Sequence, residues 1–186
     1  MPRTSDKRER LLKAARTLIH QQGFNQTTLS DIAEASGVPL GNVYYYFKTK
    51  DEIASAVISE RRDEFLHLYQ DINNRHAEPR QRLRSFLDMA ASWSEAMAEY
   101  GCPVGSLCQE LNNDRSNLST MADSILRDNL EWVTEQFRQM GREDADQMGI
   151  QFVALMQGTS LLANSLHDAS IVHPQIERAK AWLDTM

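Results

Sequence analysis

Apolar residues recur along this chain at spacings of three and four, and strand-like alternation is nearly absent. Leu11, Leu12, Ala15, Leu18 and Ile19 form one stripe, ended by Gly23. Leu29, Ile32 and Ala33 form a second, short stripe ended by Gly37, with Thr28 and Asp31 at capping-box spacing at its start. A third short segment spans about Pro39 to Phe47. Thr49 to Glu52 repeats the capping-box spacing and opens a long helix through Ile53, Val57, Ile58, Phe65, Leu68, Tyr69 and Ile72.

The pattern continues to the end. Pro79 starts a helix with Leu83, Phe86, Leu87, Ala90 and Met97 on one face, stopping near Gly101. A short element follows over about Val104 to Leu111, and the polar stretch Asn112 to Asn117 reads as a loop or a helix start. Leu118, Met121, Ile125, Leu130, Val133, Phe137 and Met140 mark a long helix ended by Gly141. Another runs from Asp144 to about His167, and His173-Pro174 starts the last, which carries Ile176, Ala179 and Leu183. The expectation is an all-α chain of about nine helices, with no repeat and no low-complexity tract.

Composition adds little to that picture. The 186 residues are 41% hydrophobic and 25% charged, ordinary for a globular protein. No stretch approaches the roughly 18 apolar residues of a membrane span. The N-terminus lacks the apolar core and cleavage site of a signal peptide, so no membrane partner and a cytoplasmic location are expected. Cys102 and Cys108, six residues apart on a helix, would be separated by about 9 Å along its axis. That exceeds disulfide reach, so both should be reduced thiols.

Charge changes the picture more. Residues 1–62 carry ten Lys and Arg against seven Asp and Glu, a net +3; the remainder carries −9 of the total −6. A basic head on an acidic body suits a polyanionic partner. The sign reverses inside the long helix after Thr49, which suggests two domains, 1–50 and 51–186.

Within the head, two short helices flank the turn Ala35-Ser36-Gly37-Val38 in a basic context, the arrangement of a helix-turn-helix. Pro39 sits where a helix begins. Gly41 costs about 1 kcal/mol in a helix interior, which makes sense where a DNA base edge or phosphate comes close to the backbone. The run GNVYYYFKTK then becomes readable. Consecutive helical residues point about 100° apart. Val43 and Phe47 mark the inward stripe, so Tyr44, Tyr45 and Tyr46 cannot all be core; Tyr45 is the expected outward one. Its hydroxyl can donate to a phosphate, and its ring can lie against sugar or a thymine methyl. A surface aromatic covering a neighbouring helix is the other reading. Lys48 and Lys50 favour phosphate.

Residues 7–58 resemble the N-terminal domain of the TetR family of transcriptional repressors. The resemblance lies in Gly23-Phe24, Thr27-Thr28, Asp31-Ile32-Ala33, Ala35-Ser36-Gly37-Val38, the run from Gly41 through Phe47, and Lys50-Asp51-Glu52-Ile53. It implies a three-helix DNA-binding domain, a helical ligand-binding bundle, and a homodimer on a pseudo-palindromic operator in double-stranded DNA. By the same resemblance Thr28 caps the second helix and touches phosphate. Pro39, Leu40, Gly41 and Asn42 face the major groove. Tyr44 contacts the backbone or a base, Tyr45 the backbone, and Lys50 a phosphate. Leu40 departs from the polar or basic residue common there, which points to thymine-methyl contact rather than a guanine fork. Arg3, Lys7 and Arg8 read either as an arm on the DNA or as a solvated helix start.

The body matches that family only in its helix pattern. Most of its Met, Trp and Phe residues read as core, yet methionine also suits adaptable binding surfaces. The resemblance implies an effector cavity, for which Trp93, Met97, Cys108, Met121, Trp132, Phe152 and Met156 are the candidates, and an unknown small-molecule effector. It also implies dimerisation through the last two helices, about 144–167 and 174–185, with Gly158, Ala163 and Ser165 permitting close approach. Cys102 at a helix start, or Cys108, offers an alternative: a thiol that senses electrophiles or oxidants. A small-molecule binding protein without DNA binding is a third reading. The five histidines show no metal-ligand spacing, and neither a phosphate-binding loop nor a nucleophile elbow is present, so no enzyme, metal or cofactor is expected.

Overall fold

The computed structural model describes residues 4–112 and 117–186, with the backbone alone at Thr4 and Ser5. Arg3 and the middle of the polar stretch, 113–116, lie outside the described residues. The described residues form α1 (Thr4–Gln22), α2 (Leu29–Ser36), α3 (Leu40–Tyr46), α4 (Lys50–Arg75), α5 (Pro79–Ala91), α6 (Ser94–Tyr100), α7 (Gly105–Leu111), α8 (Asn117–Gln139), α9 (Ala145–Leu166) and α10 (Val172–Asp184). A 3-10 turn over Ala169–Ile171 precedes α10.

The helix expected from Pro79 to near Gly101 is therefore two helices, α5 and α6. The break has a local cause. Ser92 Oγ donates to the Met89 carbonyl at 2.6 Å, competing with the main-chain ladder. Trp93 then takes φ −103° and ψ 15°, outside the helical well, before α6 starts.

By packing, the chain divides into Met1–Asp63 with Ser106–Ser124, and Glu64–Gly105 with Ile125–Met186. The division read from charge, 1–50 and 51–186, differs at both places. Charge marks surfaces, whereas the buried Ile53, Ala54, Val57 and Ile58 of α4 make its first half part of the first unit's interior.

In the first unit α1 packs on α2, and α2 on α3. Leu11, Leu12, Ile32, Val43 and Ile53 are fully buried, each contributing about 1.5–3 kcal/mol. Thr28 and Asp31 complete the capping box: Asp31 N donates to Thr28 Oγ1 at 3.2 Å, and Thr28 N to Asp31 Oδ2 at 2.9 Å. Gly37, at φ 63°, ends α2, with Val38 N donating to the Ala33 carbonyl and Gly37 N to that of Glu34. This two-bond closure requires a left-handed residue, which is why glycine stands in the turn.

The second unit is built on α5, α6, α9 and α10, with the later turns of α4 and α8. Leu83, Leu87, Val133, Phe137, Phe152, Ile176 and Leu183 form its centre. Phe137 meets Phe152 edge to face, ring centroids 6.3 Å apart. Lys180 of α10 pairs with Asp88 of α5, and Arg84 of α5 with Asp184 of α10.

Candidate nucleic-acid face and cavity

On α3, Val43 and the following Phe47 are buried, while Leu40, Tyr44 and Tyr45 are exposed, Tyr45 by 72%. The inward stripe thus sends the two phenols out, as helical geometry requires. Tyr46 is half-buried and meets the Tyr45 ring edge to face at 5.0 Å. Pro39, Gly41 and Lys48 are exposed, Asn42 is half-buried, and exposed Thr28 stands at the α2 start. A methyl group added at Gly41 would meet nothing within 4 Å. Nothing in the chain itself demands glycine there.

The two lysines are held differently. Lys48 Nζ donates to the Tyr44 carbonyl at 2.6 Å, closing the end of α3. Thr49 Oγ1 accepts from Glu52 N at 3.1 Å, and Glu52 in turn accepts from Lys48 N at 2.6 Å, fixing the start of α4. Lys50 Nζ donates to the carbonyls of Phe24 at 2.9 Å and Asn25 at 3.3 Å, and lies 4.3 Å from the centre of the Phe24 ring. Its ammonium thus holds the α1–α2 turn. Sequence reasoning missed the other half of that clasp. Glu110 of α7 accepts from Phe24 N and Asn25 N, both at 2.7 Å. Gly23, at φ 86°, lets the carboxylate approach, for an added Cβ would stand 3.1 Å from both its oxygens. A contact across 85 residues leaves no trace in local spacing.

The second unit encloses a cavity of about 590 Å³, its solvent mouth included. Of the candidates read from sequence, Trp93, Met97 and Met156 line it. Trp132 and Phe152 do not. Trp132 stacks on Tyr69 at 4.7 Å and Phe152 lies 6.2 Å from Phe86, so both rings stand behind the wall that Tyr69 and Phe86 form. Cys108 and Met121 fall in the first unit, where Cys108 is buried beside Leu107 and Leu111 on the inward face of α7. Phe65, Tyr69, Phe86, Cys102, Asn129, Gln157 and Ser160 line the cavity and were not foreseen. Ser160 had a signal: it follows Met156 by four residues on one face of α9. Tyr69 Oη accepts from Asn129 Nδ2 at 2.9 Å, and burial pushes its phenol well above the ordinary range. Cys102 Sγ accepts from Gly105 N at 3.3 Å and from Gln157 Nε2 at 3.6 Å.

α9 leaves Ile150, Leu161, Leu162 and Leu166 exposed. Ala163, expected on that face, is fully buried in the core, whereas Ser165 is exposed. Among the described residues, no helix is long and apolar enough to cross a membrane, and no cluster of three His, Cys, Asp or Glu residues is placed to hold a metal.

A capped short helix, a left-handed glycine turn and an outward-facing second short helix define a helix-turn-helix protein. Residues 11–57 match the sequence profile of the tetR family of bacterial regulatory proteins. The chain is similar to the HTH-type transcriptional regulator in the lacX 3′ region of Lactococcus lactis subsp. lactis: 26% identical over 178 residues, 93% of this chain and 91% of the relative. The HTH-type transcriptional repressor KstR2 of Mycolicibacterium smegmatis is 30% identical over 79 residues, 42% of this chain and 38% of its own. Among solved structures, a TetR transcriptional regulator from Legionella pneumophila superposes with a TM-score of 0.84 at 22% identity, over 100% of this chain and 97% of its own.

Proposed function

We propose that the chain is a ligand-responsive transcriptional repressor that acts in the cytoplasm as a homodimer on a pseudo-palindromic operator. The observation that carries this is the outer face of α3. Two phenols and Leu40 point to solvent beside a glycine for which the fold itself has no use. Tyr44 and Tyr45 contact the DNA backbone, and Leu40, Gly41 and Asn42 meet base edges in the major groove. Thr28 and Lys48 supply further phosphate contacts. Lys50 acts mainly by positioning the α1–α2 turn, with one ammonium proton left for phosphate.

One seven-residue helix reads little DNA, and a dimer presents two, about 34–36 Å apart. The exposed leucines of α9 support pairing there, with α10 beside it. The effector occupies the cavity of the second unit. It contacts Phe65 and Tyr69 of α4, the same continuous helix whose first turn follows α3. A shift of α4 alters the separation of the two recognition helices, so both half-sites are no longer met together. Repression agrees with the names of similar regulators.

The test is a gel-shift series on the DNA upstream of the coding sequence at several salt concentrations. Binding is expected to be sequence-selective and to weaken steeply with salt. Tyr45→Ala with Lys48→Ala should lower affinity by on the order of a hundredfold, as two phosphate contacts of about 1.4 kcal/mol each are lost. Salt-insensitive or absent binding by the native chain overturns the proposal.

A second reading rests on Cys102, whose thiol stands in the cavity wall. If electrophiles are the signal, Cys102→Ser abolishes release by electrophiles and leaves DNA binding intact.

A further inference from the structure

With the cavity of the second unit taken as the effector site, its wall narrows the effector's chemistry. No Asp, Glu, Lys, Arg or His stands among the described lining residues. A charged ligand would lose its hydration there and gain no counter-charge. Phe65, Tyr69, Phe86 and Trp93 supply flat apolar surface, and Trp132, stacked behind Tyr69 at 13° between planes, keeps that ring from turning. Such walls favour a flat ring, stacked or edge-on.

Two hydroxyls, with the side chains of Cys102, Asn129 and Gln157, break the apolar lining. Ser160, only 3% exposed, has an Oγ without any hydrogen-bond partner. An orphaned buried hydroxyl costs free energy that an incoming partner recovers. Tyr69 Oη already accepts from Asn129 Nδ2, so what it has left to offer is its proton. Cys102 and Gln157, the neighbouring polar groups, already bond to each other. Ser160 and Tyr69 therefore each have a proton to give to an acceptor.

We propose that the cavity takes an uncharged molecule with a flat ring and an acceptor oxygen, of ketone or similar type, which accepts a hydrogen bond from Ser160 Oγ, with Tyr69 Oη as a second donor. The raised phenol keeps Tyr69 a donor across the whole physiological range. This deepens the regulatory reading and rests on it for its biological meaning, but the binding chemistry stands by itself.

The experiment uses the full chain and three probes of one shape in equilibrium dialysis: 2-acetylnaphthalene, 2-ethylnaphthalene and 2-naphthoate. The ketone should bind about fivefold more tightly than the hydrocarbon, the worth of one net hydrogen bond. The carboxylate should bind at least about a hundredfold more weakly than the ketone. Ser160→Ala should erase most of the ketone's advantage and leave the hydrocarbon unchanged. Met156→Trp, which fills the cavity, should abolish binding of both. The proposal falls if the carboxylate binds as well as the ketone, if no probe binds, if Ser160→Ala weakens ketone and hydrocarbon alike, or if binding survives Met156→Trp. Gel shifts with the same probes separate the two readings. Probes that bind as expected without releasing DNA sink the effector role and leave the ligand chemistry standing. Normal DNA binding with no probe binding does the reverse.

Discussion

In the first unit α3 turns Tyr44 and Tyr45 to solvent, whereas in the second Phe65, Tyr69 and Phe86 face a cavity. The same residue class serves opposite ends because the supports differ. A seven-residue helix buries one narrow stripe, here Val43, and its other directions point outward. Several long helices surround the second unit's aromatics, so their rings meet one another and leave a void where they fail to fill it. An outward phenol beside lysine suits a large, rigid polyanion. An inward ring beside an orphan hydroxyl suits a small, apolar guest.

That contrast can be broken at several points. The largest effect should come from neither aromatic set but from the apolar face of α9. Leu162→Asp with Leu166→Asp should yield a monomer by sedimentation, with operator affinity reduced more than about a hundredfold because the second half-site no longer adds. A dimer that persists would move the subunit interface elsewhere.

Next is the clasp under the DNA-facing unit. Glu110→Ala leaves the N–H groups of Phe24 and Asn25 without their carboxylate and should cost about 2 kcal/mol in denaturant unfolding. An unchanged midpoint would mean that water replaces the carboxylate without loss.

The buried phenol gives a pH test. Burial raises Tyr69 above the ordinary value of 10.0 and outweighs the Asn129 bond, so the folded chain keeps a proton that the unfolded chain loses. Its contribution is intact below about pH 10, and above that stability should fall by about 1.4 kcal/mol per pH unit. Tyr69→Phe should flatten that alkaline limb in unfolding experiments; an equally steep limb in the variant assigns it to another group.

The smallest effect is the most diagnostic. Gly41→Ala should stabilise the free protein by roughly 0.5–1 kcal/mol, since the added methyl meets nothing and the helix gains propensity. The same change should weaken operator binding about tenfold if DNA approaches that backbone. A variant that is more stable and binds DNA equally well would remove Gly41 from the interface.

Much of the first unit was legible because its signals are local. The Thr28–Asp31 box, the Gly37 turn and the Val43–Phe47 stripe each lie within a few residues, where spacing alone dictates geometry. The cavity was legible only in part. Trp93, Met97 and Met156 declared themselves by composition, but composition does not distinguish a ring that lines a void from one packed behind it, as Trp132 and Phe152 are. The break at Ser92 was hidden because a serine hydroxyl competes with the ladder only when its rotamer reaches the carbonyl three residues back.

The sequence by itself determined that this chain is helical, where its short head helices start and stop, and that Tyr45 faces outward, because helix periodicity and capping are short-range. Only the tertiary structure decided that Glu110 and Lys50 clasp one turn, that Ser106–Ser124 joins the first unit, and that Ser160 is left without a partner in a largely apolar wall. Those outcomes depend on which residues distant in the chain arrive at the same place. That is settled by packing, where volume and unsatisfied polar groups are reckoned together.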